Sequence, residues 1–315
     1  MKGTHALETL LVRAIQGGVR AMSWRASLGM GAAVGELALG LGLRREVGLA
    51  NLAIAFPERT PEARAEILRR HYRHLGQVAC EYARLAELSA APVGEVIAVA
   101  RGLEHVEAAR RLGRGVILLS GHYGTVELLG ACVARHHPVD FVEKPLSNPA
   151  VDAIHARLIA EAGVGYIPLG AGARRIFHAL RQNRCVALLA DQDDHEQGVF
   201  VPFMGRLSST PVGPAAIALR HGSPIVMGFI TRCQDGRHEI DILPALDLAA
   251  AVGPDAARIV TAQHTACLET WVRRHPEMWL WLHRRWKTPP PEEMADAVAA
   301  AREPAAALPG RAREA

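Results

Sequence analysis

Apolar positions over the first ninety or so residues recur at spacings of three and four, and beyond about residue 96 they gather into short runs. The early pattern is helical. The stretch TPEARAEILRRHYRHLGQVACEYARL opens on Thr60-Pro61, a cap residue followed by a proline suited to the first helical position. Residues 1–95 are therefore expected to form a helical N-terminal region. The later runs GVILLS, VDFVEK, VGYIPL, CVALLAD, PIVMGFITR and HEIDILP have the length of strands. Helical segments such as NPAVDAIHARLIAEAG, AGARRIFHALRQN and PVGPAAIALRHG lie between them, and residues 254–274 read as one more amphipathic helix. This alternation predicts an α/β fold over 96–288, a mixed, mostly parallel central sheet flanked by helices, with an antiparallel hairpin near 224–244. Residues 289–315 are rich in Pro and Ala, charged and without aromatics, and are expected to be disordered.

One segment stands apart, GRGVILLSGHYGTVELLG at 113–130. Val116 to Leu119 is apolar on both faces, as suits a strand covered on both sides, and Thr125 to Ala134 reads as a helix. His122 thus falls at a strand-to-helix junction, where α/β proteins commonly place chemistry. Glu127 follows five residues later, and a ring preceding the helix can turn back over it. A carboxylate bonded to one imidazole nitrogen leaves the other free as a base. The same spacing recurs at His264/Glu269, inside a continuous helix where the side chains diverge, and reads as surface decoration. No Ser or Cys occupies a G-x-S-x-G elbow, which favours direct transfer over a covalent hydrolase.

ALLADQDDHEQGVFVPFMG ends a second buried run in Asp191, Gln192, Asp193 and Asp194. A D-x-D at a strand end can hold a divalent cation against a sugar nucleotide, the reading of a glycosyltransferase, or can simply bond loop amides. If both strands are parallel, the loop shares a sheet edge with His122. Lys144 and Arg157 are solvated charges or phosphate ligands. MWLWLHRRWKTPP interleaves tryptophans with cations, as a nucleic-acid surface, a membrane interface or a core strand would. A pI near 9.0 with a formal charge of only +4 allows attraction to anionic lipid. The segment ASLGMGAAVGELALGLGL at 26–43, flanked by Arg20, Arg25, Arg44 and Arg45, reads equally as a helix on a membrane surface, led by residues 20–45, or as a buried core helix. The five cysteines form no C-x-x-C pair, so reduced thiols are expected and no zinc site.

In order along 45–288, NLAIAFPE, GRGVILLSGHYGTVELLG, KPLSNPAVDAIHARL, ADQD with GVFVPFMGRLSSTP, and WLWLHRRWK together resemble the lipid A late acyltransferases, which are lysophospholipid-acyltransferase-like enzymes. The resemblance implies an acyl donor carried as a thioester on acyl carrier protein and a glycolipid acceptor at the cytoplasmic face of the inner membrane, with the protein held there peripherally or by a single pass. It implies no metal and no cofactor, and no nucleic-acid partner is expected. It assigns His122 and Glu127 to an H-x4-D/E catalytic pair. Lys144 and Arg157 are assigned to the acceptor, and Asp191, Gln192 and Asp193 to the loop bordering the groove. Thr125, Val126 and the Glu143-Lys144 pair depart from the family pattern, which leaves acceptor and chain length open between a lipid A precursor and another glycolipid such as a phosphatidylinositol mannoside. Outside the family, a D-x-D glycosyltransferase and a non-catalytic glycolipid-binding scaffold are the competing classes. A glycerol-phosphate acyltransferase is disfavoured, because AFPERT lies upstream of His122 rather than after it.

Overall fold

Val116–Ser120, an apolar run, becomes β2 at the centre of a seven-stranded sheet. The computed structural model describes residues 2–294 except Ala171, so residues 295–315 of the expected tail fall outside the described residues. Five helices come first: α1 (Lys2–Ala21), α2 (Trp24–Gly40), α3 (Arg45–Ala55), α4 (Pro61–Tyr82) and α5 (Leu85–Ala90). There follow β1 (Ile97–Arg101), α6 (Leu103–Arg110), β2, α7 (Val126–Ala134), β3 (Val139–Glu143), α8 (Pro149–Glu161), β4 (Gly165–Pro168), α9 (Gly172–Arg181) and β5 (Cys185–Leu189). A two-stranded antiparallel ribbon, β6 (Val199–Phe203) and β7 (Arg206–Thr210), precedes α10 (Gly213–His221), β8 (Ile225–Arg232), β9 (His238–Ala245) and α11 (Ala256–Arg274).

The large sheet runs β1-β9-β8-β2-β5-β3-β4, and every neighbouring pair is parallel except β8–β9. The mixed, mostly parallel α/β fold is thus as expected, with the antiparallel hairpin where its apolar runs put it. Alternation along β2 sends Ile117 and Leu119 to one face and Val116 and Leu118 to the other. The first face is covered by α9, α10 and α11, together with Leu52 of α3 and Leu68 and Tyr72 of α4. The second is covered by α5, α6, α7 and α8. The N-terminal helices therefore complete the core of the sheet.

Residues 26–43 do not form a free-standing interfacial segment. Helix α2 lies so tightly on α4 that a Cβ on Gly31 would come within 2.4 Å of the Gly76 carbonyl oxygen, and one on Gly76 within 1.8 Å of that of Gly31. Glycine in this segment serves helix packing, while Val34, Leu37, Leu41 and Leu43 stay exposed on the far side. The packed face thus follows the buried-helix reading. No single described helix is long and apolar enough to cross a membrane, and α2 and α3 together bend by 93°.

Candidate active site

The chain leaves β2 at Ser120, and a short turn carries His122 and Tyr123 to Gly124, which adopts φ 64°. A Cβ there would lie 1.9 Å from the Ile230 carbonyl oxygen, so the turn presses on β8 as only glycine allows. Gly124 N–H donates to the Met278 carbonyl at 2.9 Å, and Leu280 N–H to the His122 carbonyl at 3.0 Å. The histidine is therefore held by backbone on both sides before its ring makes any contact.

The ring is held by Asp191. Its Nδ1 lies 2.7 Å from Asp191 Oδ1, and the His122 amide donates to Asp191 Oδ2 at 2.8 Å. Trp279 Nε1 donates to that same Oδ2 at 2.8 Å. Burial opposes charge on Asp191, yet His122 and the Trp279 donor outweigh it and hold the carboxyl at about 2. Burial also works against protonation of His122, but the Asp191 charge overrides it and raises the imidazole pKa. An ionised carboxylate on Nδ1 leaves Nε2 as the free lone pair, and the Gln192 amide nitrogen stands 3.3 Å from it. Glu127 was expected in this role and does not fill it: its Oε2 is buried without a partner. Burial raises its pKa, and nearby Glu143 raises it further.

A cavity of about 380 Å³ opens at His122 and runs between α7 and the sheet. Its body is apolar, with Leu118, Leu129, Val133, Phe141, Val226 and Ile242 among its walls. Its polar end carries His122, Glu127, Glu143, Lys144, His155 and Gln192. His155 bonds Glu143 and stacks on Tyr82 with ring centroids 5.6 Å apart. Nothing in the local sequence marks His155, which is brought to the cavity by the packing of α8. Ser120 is no nucleophile here, because its hydroxyl is spent on the Gly228 carbonyl at 2.7 Å.

Four other expectations change. Arg157 does not line the cavity: its side chain is 81% exposed and pairs with Glu161 at 2.8 Å, one turn along α8. Asp193 faces away from His122, accepting from Thr288 Oγ1 at 2.9 Å and from the His195 amide. The D-x-D acids are thus committed to separate structural partners, and no metal-binding cluster is present among the described residues. The Trp-rich segment packs into the fold as a brace. Trp279 and Trp281 are buried, and Arg285, 1% exposed, donates to the carbonyls of Gln192 and Ser209. His264 and Glu269 are buried rather than decorative; Glu269 accepts from the Met204 amide at 2.6 Å and from Arg273, and a single-helix argument could not see the neighbouring ribbon.

Comparison with known proteins bears on the same region. The phosphatidylinositol mannoside acyltransferase of Mycobacterium tuberculosis is 30% identical over 194 residues, which is 59% of this chain; the chain spans 58% of that relative's length. The lipid A biosynthesis lauroyltransferase of Escherichia coli is 26% identical over 268 residues, covering 83% of this chain and 85% of the relative. The palmitoleoyltransferase of the same organism is 25% identical over 265 residues, with the same coverage. The family model for bacterial lipid A biosynthesis acyltransferases matches residues 4–288, and the chain belongs to that family.

Proposed function

We propose that this protein moves a fatty acyl chain from an acyl carrier protein thioester to a hydroxyl of a phosphorylated glycolipid, of lipid A precursor type, in lipopolysaccharide biosynthesis. The observation that carries the reading is an apolar cavity ending at an imidazole whose Nδ1 is held by a buried carboxylate. In this reading the acyl chain fills the apolar body and its thioester carbonyl lies beside His122. Nε2 takes the proton of the acceptor hydroxyl, the oxygen attacks the carbonyl, the new C–O bond forms and the C–S bond breaks. The imidazolium, flanked by Asp191 and Glu127, then returns its proton to the departing thiolate. The pair His122 and Glu127 is the proposed catalytic pair, with Asp191 orienting the ring and Gln192 bordering the groove.

The acceptor can be narrowed by charge. Among the described residues that line the cavity Lys144 is the one fixed cation, and it shares that lining with Glu127 and Glu143. A phosphate is therefore best accommodated outside the cavity, against Lys144, with a sugar hydroxyl entering. The same acidic end favours a second reading, in which the acceptor is a phosphatidylinositol mannoside-like lipid whose neutral sugar bonds Glu143. Mass spectrometry of lipids from cells with and without the gene tests both readings; an unchanged glycolipid acylation pattern would overturn them. Incubation of the protein with a chelator is expected to leave the transfer rate within about twofold, since no step of general-base transfer needs a metal. A large loss restored by added cation would return the D-x-D reading.

Work at the cytoplasmic face of the inner membrane is part of this proposal, and its support lies in α1. His5, Thr9, Val12, Gln16 and Val19 turn inward, and Asn148, the N-cap of the helix α8 whose His155 lines the cavity, donates to the His5 carbonyl at 3.0 Å. Leu7, Leu10, Leu11 and Ile15 face out, all more than half exposed, as do Leu169 on the cavity lining and the α2 stripe. An amphipathic helix beside the mouth would deliver a lipid substrate without spanning the bilayer. Replacing Leu7, Leu10 and Leu11 with serine is expected to abolish co-sedimentation with anionic vesicles while leaving the unfolding midpoint nearly unchanged. Retained binding would rule α1 out as the contact.

A further inference from the structure

Glu127 makes no hydrogen bond through Oε2, so its place opposite His122 is set by where α7 begins. That start is unusual. Thr125 occupies the N-cap position, where a threonine ordinarily turns its hydroxyl onto an amide of the first turn. Here it makes no such bond. The hydroxyl instead donates to Glu81 Oε2 at 2.6 Å, near the end of α4. Glu81 has no solvent exposure and also receives both Nη groups of Arg232, at the end of β8, and His238 Nε2, at the start of β9. Burial opposes its ionisation, but His238 and Arg232 outweigh that and hold its pKa far below the usual carboxylate range. The carboxylate is therefore a fixed anchor joining α4 and the β8–β9 hairpin.

Thr125 lies three residues after His122 and two before Glu127. We infer that Glu81, with Arg232 and His238, is a positioning group that sets, through Thr125, where the first turn of α7 places Glu127 in the cavity wall it shares with His122. The inference rests on the acyl-transfer reading and adds residues that touch no substrate. Asp191 fixes one end of the turn and Glu81 the other.

The test is Thr125→Val, which keeps volume and loses the donor. With saturating donor and acceptor, kcat is expected to fall about tenfold, as loss of a hydrogen bond to a charged group allows, with both KM values within about twofold. Thr125→Ser should restore most of the rate. In a Glu127→Gln background the same substitution should cost less than about twofold, because the two residues act in series. Wild-type kcat for Thr125→Val, no rescue by serine, or the full loss persisting beside Glu127→Gln would each overturn the inference. Should Thr125→Val fail to fold, Arg232→Lys takes its place, and a normal kcat or a full loss persisting beside Glu127→Gln would overturn the inference. His122→Ala is measured alongside: if it remains active, the acyl-transfer reading has failed. If it is inactive while Thr125→Val is normal, only the positioning role falls.

Discussion

His122→Ala is expected to lower kcat for acyl transfer by roughly 10²–10⁴, the usual contribution of a positioned general base. Binding of both substrates should change little, since the ring occupies the mouth of the cavity and not its apolar body. The fold should survive: the imidazole is about one-third exposed, and the turn is also fixed by backbone bonds from Met278 and Leu280. Glu127→Gln should act in the same direction and less severely. His264→Ala offers the contrast. That ring is buried and, desolvated, held neutral with a pKa of about 4, so its loss should lower the unfolding midpoint and leave kcat of the folded protein unchanged. Equal catalytic losses in the two histidine variants would remove His122 from the mechanism.

The parts of this site that could be read from sequence are those fixed by local pattern. Val116–Ser120 is an apolar run long enough for only one strand, and a glycine-flanked histidine after it has to stand at the sheet's C-terminal edge. The acids after Cys185–Leu189 reach the same edge because that strand is parallel to its neighbour. Which carboxylate meets the ring was not legible. Glu127 is close in sequence, but α7 carries it along the cavity wall, whereas Asp191 arrives from the adjacent strand and is locked by Trp279, 88 residues on. The same limit hid Glu81 and His155, which are ordinary helical residues until packing brings their helices to the site. It misplaced Arg157 as well, because a position in a helix does not say which face the sheet will cover. The Trp-rich segment was ambiguous for a related reason: tryptophan suits a membrane interface and a core equally well, and only its hydrogen bonds decide.

Asp191→Asn should reduce kcat by about as much as loss of the base itself, roughly 10²–10⁴: the His122 amide and Trp279 Nε1 would claim the amide oxygen, turning its NH2 onto Nδ1 and leaving the proton on Nε2. Its pH signature is more telling than its size. His122 must be neutral to accept a proton, and the Asp191 charge raises its pKa, so kcat/KM of the native enzyme should climb with pH through a value above 6.5. Without that charge, burial is the largest influence left on the ring and lowers its pKa, so the acid limb should move to lower pH as the plateau falls. Stability should follow the same pair. Asp191, held at about 2 against an ordinary 3.8, contributes stability above 3.8 that is lost as pH falls through about 2. His122, raised from 6.5, contributes stability that is complete below 6.5 and disappears as pH rises through its folded value. The difference in unfolding midpoint between native and Asp191→Asn protein should therefore be widest near pH 5 and narrow towards pH 9. An acid limb that stays in place in Asp191→Asn, with the plateau preserved, would mean that Asp191 only packs against the ring and that another group prepares His122 for the proton.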